Sequence, residues 1–182
     1  NSEVILKPVK IYTDPFRHSN LDCNNSYIFV LCECLNPNMT PHKTNTRSEA
    51  LDIFNNSIVH TEEIWYGLEQ EYILQYYETD RPLGWPLNST WTVPSNGTNY
   101  CSVGVENISG RDIVEKHLKC CLKAGLNVSG INSEVVLGQW EFQIGPSTGI
   151  DASDELTIAR YILYRVCEQY KVRITLEPKP LQ

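Results

Sequence analysis

The stretch Gly138-Gln139-Trp140-Glu141-Phe142-Gln143-Ile144-Gly145-Pro146 alternates between large apolar and polar side chains. A period of two is the mark of a β-strand with one covered face. Trp140, Phe142 and Ile144 therefore share the covered side, and Gln139, Glu141 and Gln143 share the other. Gly138 marks a tight connection to a strand read over residues 127–136, which makes the pair an antiparallel hairpin. Glu134, on that partner strand, falls on the same face as Glu141 if the turn sits near Leu137 and Gly138.

Outward from the hairpin, residues 64–75 read as a further strand in which Glu69 and Glu71, two apart, point the same way with Gly67 beside them. Extended segments are also read at 4–12, at 27–34 and at 172–176. The second, Tyr-Ile-Phe-Val-Leu-Cys-Glu-Cys, is read as a buried strand from its β-branched and aromatic content. Three helices are predicted. One covers about 46–55, capped by Thr46 and carrying an Ala50, Leu51 and Phe54 stripe. The second covers 111–124, with Ile113, Val114, His117, Leu118, Cys121 and Leu122 at helical spacing and Gly125 as the stop. The third covers about 153–170, with Ser153 as cap, Asp154 and Glu155 in the first turn, and Leu156, Ala159, Ile162, Leu163 and Val166 along one side. Pro37 and Pro41 bracket a domain boundary, turn residues crowd the region from Asp80 to Thr98, and no internal repeat is evident.

Composition sets the limits. The chain has 182 residues, 41% apolar and 20% charged, which is enough to bury an ordinary core. A formal charge of -7 leaves no basic surface for nucleic acid or an anionic membrane. No apolar run approaches the roughly 20 residues that span a bilayer, and no signal-peptide pattern is present. The seven cysteines form no Cys-x-x-Cys and are read as reduced thiols of a cytosolic protein. Asn-x-Ser/Thr sequons at Asn24, Asn38, Asn55, Asn88, Asn96, Asn107 and Asn127 are read as chance products of an Asn-rich chain.

Glu69, Glu71, Glu134 and Glu141 lie on polar faces of strands that contain no Lys or Arg. Spacing alone makes them solvated outer-face charges. Held together they would repel, and a set of oxygen ligands without imidazole or thiolate favours magnesium or manganese over zinc or copper.

The wording around them narrows the reading. Trp65-Tyr66-Gly67-Leu68-Glu69-Gln70-Glu71-Tyr72 resembles the Trp-Phe-Gly-x-Glu-Gln-Glu-Tyr segment of eukaryotic-type (type II) glutamine synthetases, and residues 138–146 resemble that family's most recognisable signature. Colinear similarities continue at Asp14-Pro15-Phe16-Arg17, Gly84-Trp85-Pro86, Gly110-Arg111-Asp112-Ile113-Val114, Ala159-Arg160-Tyr161-Ile162-Leu163 and Pro178-Lys179-Pro180. The resemblance runs over essentially the whole chain.

It implies an α+β fold: residues 1–42 as the end of an N-terminal β-grasp domain, and 43–182 as the first part of a catalytic domain built on a curved antiparallel sheet with helices. It implies ATP-dependent amidation of L-glutamate by ammonia, with Mg2+ or Mn2+, in a cytoplasmic homo-oligomer whose ring assembly forms active sites between subunits. Carried over by motif, Glu71, Glu134 and Glu141 would hold the metal beside glutamate and Glu69 the metal on the ATP phosphates. The nucleotide path would be lined by Glu141, Phe142, Gln143, Ile144, Gly145 and Pro146, with Trp65 near it; on the residues alone, Trp65 reads equally as a core aromatic.

The chain departs from the family pattern in a longer, polar loop over 87–98, in Ser102, Leu137 and Glu177, and in an insertion-like run over 19–26. Relative to the family it looks truncated. The Asp-Gly-Ser-Ser segment, the Asn-Trp-Asn-Gly-Ala-Gly loop, the His ligand, the phosphate-binding arginines and the last Glu ligand are absent from it. The expectation is a ligase segment inactive by itself; the alternative is a short non-catalytic paralogue acting as a binding or structural module.

Overall fold

The computed structural model describes residues 3–17, 27–87, 97 and 99–177. Cys23, His18, the sequons at Asn24, Asn88 and Asn96, the run 19–26, nearly all of the polar loop over 87–98, and Pro178-Lys179-Pro180 lie outside the described residues.

Two antiparallel sheets organise the chain. Strands β1 (Ile5–Thr13) and β2 (Ile28–Leu35) form a two-stranded ribbon. Strands β3 (Trp65–Tyr76), β4 (Val128–Ser133), β5 (Gln139–Thr148) and β6 (Val172–Thr175) form a four-stranded sheet in the order β4-β5-β3-β6. The helices are α1 (Thr46–Phe54), α2 (Ser57–Thr61), α3 (Arg111–Ala124) and α4 (Asp151–Tyr170).

Helices α3 and α4 cover one face of the larger sheet. Tyr72 and Leu74 of β3 and Trp140, Phe142 and Ile144 of β5 meet Ile113, Val114 and Cys121 of α3 and Ile158, Ala159, Ile162, Leu163 and Val166 of α4. Burial of each large side chain of this kind contributes about 1.5–3 kcal/mol, so the alternation of β5 is held by its aromatic face. Polar atoms carried into this layer find partners: the Trp140 indole donates to the Ser109 carbonyl at 2.8 Å, and the Arg160 guanidinium donates to Gln70 Oε1 at 2.7 Å. His117 is 1% exposed and its Nε2 donates to the Ala159 carbonyl at 3.0 Å. It is a core residue that ties α3 to α4.

In the helix at 111–124, Leu122, read into its apolar stripe, is exposed, and Cys120 and Ala124 are buried instead. The bounds of that helix and its stop stand as read: Gly125 ends α3 at φ 87°, a left-handed position that glycine adopts without strain. Other boundaries differ. The cap of α1 is Asn45, whose side chain accepts from the Ser48 amide, so Thr46 is already helical. A short helix, α2, follows from an Asn56 cap. Helix α4 begins at Asp151 after Ile150 with no side-chain cap, which leaves Ser153 inside it. Asp154 and Glu155 are buried: Asp154 accepts two bonds from Arg47 at 2.9 and 3.0 Å, and Glu155 accepts from Ser147 at 2.9 Å. Strand β2 is not buried throughout, since Ile28 and Val30 face outward. Arg47 also lies 3.5 Å from Glu33 of β2, so one guanidinium joins the ribbon, α1 and α4.

Candidate metal centre

With helices on one face, the polar residues of β3, β4 and β5 gather on the other, and strand register sets which of them meet. Glu71 is directly opposite Glu141, which is directly opposite Asn132. One step along, Glu69 is opposite Gln143, itself paired with Gly130. Glu134 lies one residue past the end of β4, beyond the strand on which it was expected. Its amide still donates to the Gln139 carbonyl at 3.0 Å, which keeps it in line with the open face.

One carboxylate oxygen from each of Glu71, Glu134 and Glu141 lies within 4.8 Å of the others. Glu69 is on the same face but not in that cluster. Glu141 is 7% exposed, and its carboxyl sits above the usual carboxylate range. Burial is the main cause, the charges of Glu69, Glu134 and Glu71 add to it, and a hydrogen bond from Gln143 works in the other direction. The Cys101 amide donates to the Ser133 carbonyl at 3.0 Å, which brings the 100–101 turn beside Glu134, and the Tyr100 phenol is raised, first by neighbouring Cys101 and then by Glu134.

Neutral amides satisfy these carboxylates. Gln139 Nε2 donates to Glu71 at 2.8 Å, Asn132 Nδ2 to Glu134 at 3.2 Å, and Gln143 Nε2 to Glu141. None of the ion pairs among the described residues involves the four glutamates. Three converging carboxylates, one of them buried and none paired with a side-chain cation, suit a hard divalent cation, and the absence of thiolate or imidazole from the cluster disfavours a soft one.

Next to the cluster, a groove of about 580 Å³ is lined by Gly67, Glu69, Gln143, Ile144, Gly145 and Pro146 among others, a size in the range of small-ligand sites. Gly145 sits at φ +109°, and a Cβ there would lie 2.5 Å from the Tyr66 carbonyl oxygen; the close approach of β5 to β3 requires glycine. Of the other residues expected on a nucleotide path, Phe142 turns its ring to the helices, where it is buried against His117 and Tyr72. Trp65 is 72% exposed and so is not a core aromatic of this chain.

Residues 46–182 match the family described as glutamine synthetase, catalytic domain. The chain belongs to the glutamine synthetase family. Over 181 residues it is 49% identical to glutamine synthetase root isozyme 4 of Zea mays. Over 182 residues it is 50% identical to glutamine synthetase N-1 of Phaseolus vulgaris and 48% identical to a glutamine synthetase cytosolic isozyme of Pinus sylvestris. Each comparison covers 100% of this chain and 49% of the relative, so the chain spans about half the length of the curated relatives it matches. The amide donors Asn132 and Gln139 were not assigned from the sequence, and Gln143 was read there only as part of the nucleotide path, not as a donor to Glu141. Their shared face with the glutamates was the only signal.

Proposed function

We propose that this chain is part of an ATP-dependent glutamate–ammonia ligase. The γ-phosphoryl group of ATP passes to the side-chain carboxylate of L-glutamate, giving ADP and γ-glutamyl phosphate, and ammonia then displaces phosphate to form glutamine. The carrying observation is the convergence of Glu71, Glu134 and Glu141 on one open sheet face in a member of this family.

In this reading those three glutamates hold Mg2+ or Mn2+, and Glu69, which lines the adjacent groove, helps hold a second ion on the ATP phosphates. The bound cation supplies charge neutralisation for the transferring phosphoryl group and a template for in-line displacement. The protein's own part is orientation: strands fix the spacing of the carboxylates, and the groove beside Glu69, Gln143, Gly145 and Pro146 accommodates the nucleotide. Trp65, exposed at the start of β3, is available to flank it.

The reading extends to the whole protein as a cytoplasmic ring-shaped homo-oligomer, with residues 1–42 ending an N-terminal domain and 43–182 beginning the catalytic one. A relative named as a cytosolic isozyme supports the compartment, and no helix among the described residues is long and apolar enough to cross a membrane.

The test is phosphate release by the full-length protein of which this chain is proposed to be part, measured with each of ATP, glutamate, ammonia and divalent metal omitted in turn. Release requiring all four, and lost in Glu134→Gln, supports the ligase. Release independent of glutamate and ammonia, or none with all four present, rejects it.

A further inference from the structure

The three clustered carboxylates are each held by a separate side-chain amide, and the amides are themselves ordered. Gln143 Nε2 donates to both Glu141 and Asn132 Oδ1, the latter at 2.7 Å. With its oxygen committed to Gln143, Asn132 must turn its NH2 group to Glu134, where Nδ2 lies 3.2 Å from Oε1. Gln139 holds Glu71 Oε2 independently at 2.8 Å. Space for this chain is built into β4: a Cβ at Gly130 would lie 2.5 Å from Gln143 Oε1, so the glycine opposite Gln143 lets that side chain lie across the strand toward Asn132. Glycine within a strand commonly marks such a close approach.

We infer that Asn132, Gln139 and Gln143 form a neutral positioning frame that presets Glu71, Glu134 and Glu141 for a divalent cation, an inference that rests on the metal reading above. The chemistry of the donors carries it. An amide N–H orients a carboxylate oxygen yet leaves the full negative charge for the metal, whereas a Lys or Arg in the same place would form an ion pair and compete with it. The frame also keeps three like charges together before a cation arrives, which their mutual repulsion would otherwise oppose. Asn132 is the joint of the frame, since it alone receives from an amide on a neighbouring strand and passes the constraint to a carboxylate, that of Glu134 just past the end of β4. It is a positioning residue, with no contact to substrate assigned to it.

The experiment is a Mn2+ titration of the full-length protein, read by electron paramagnetic resonance, for wild type, Glu134→Gln, Asn132→Ala and Asn132→Ser. Thermal midpoints of the metal-free proteins are measured alongside. Removing a group that orients a metal ligand typically weakens affinity by about 10- to 100-fold, and that is the loss expected for Asn132→Ala. Asn132→Ser keeps a donor and should recover part of it, while the metal-free midpoints of the two variants stay close to each other. A Kd in Asn132→Ala within about twofold of wild type, with Glu134→Gln still losing binding, overturns the frame and leaves the metal site standing. Equal affinity losses in the Ala and Ser variants also overturn it, because packing alone would produce that result. Failure of the wild-type protein to bind Mn2+ overturns the metal reading and the frame together.

Discussion

Glu71 and Glu141 stand directly opposite each other across the β3–β5 pair, an arrangement in which like charges are destabilising. In the metal-free protein, Glu141→Gln should therefore raise the unfolding free energy, by about 0.2–1 kcal/mol. If the glutamate cluster holds the metal as proposed, saturating Mn2+ should stabilise the wild type, and the same substitution should abolish that stabilisation. Opposite signs in the two conditions, measured by urea unfolding with and without chelator, are the expected outcome; a loss of stability in both would show that Glu141 serves packing alone.

His117 provides a pH signature. Its imidazole is pushed down to about 4 by burial, with only partial relief from the hydrogen bond to Ala159, while an unfolded His titrates near about 6.5. Between those values the unfolded chain binds more protons, so stability falls as pH drops through that window. The contribution is on the order of 3 kcal/mol at about 1.4 kcal/mol per pKa unit. Urea midpoints followed from pH 7 to 4 should fall less steeply in His117→Gln; parallel profiles would contradict the assignment.

Arg47 holds Asp154 through two bonds at 2.9 and 3.0 Å and lies 3.5 Å from Glu33. The Asp154 and Glu33 side chains are both 4% exposed. Arg47→Ala should cost about 3–5 kcal/mol, because it strands the buried Asp154 carboxylate, whereas Glu33 keeps the Lys7 ammonium at 2.9 Å. Arg47→Lys should recover only part of that, since an ammonium cannot reproduce the two-pronged contact. Chemical denaturation of the two variants provides the comparison.

Gly145→Ala should damage the groove more than the core. The new Cβ would meet the Tyr66 carbonyl oxygen at 2.5 Å in a left-handed backbone, costing about 1–3 kcal/mol in strain. Nucleotide affinity, followed by equilibrium binding of ATP, should weaken, whereas Gly125→Ala, which has open space around its Cβ, should leave it unchanged.

What could be read in advance followed from local periodicity. The alternation in β5 and the spacing of Glu69 and Glu71 put the acidic residues on one face, and the stripe of α3 with Gly125 fixed that helix. Residues whose role is set by distant partners were not legible. Asp154 looked like a favourable first-turn charge, but its partner Arg47 is 107 positions away. Thr46 and Asn45 are adjacent plausible caps, and only the path of the chain entering α1 selects the second. The exposure of β2 depends on what covers the ribbon, which no strand pattern encodes. At the candidate site, the faces of the three glutamates were readable, but not the end of β4 before Glu134. The amide bonds of Asn132, Gln139 and Gln143 depend on side-chain rotamers that spacing does not define.

The alternation in β5 has one more consequence. A slip of this strand by a single residue would press Gln139, Glu141 and Gln143 into the helices and turn Trp140, Phe142 and Ile144 to water. Misregistered chains would thus lose their cohesion and their acidic surface in the same event. The register that buries the rings is the same register that assembles the carboxylates, so whatever holds the one holds the other.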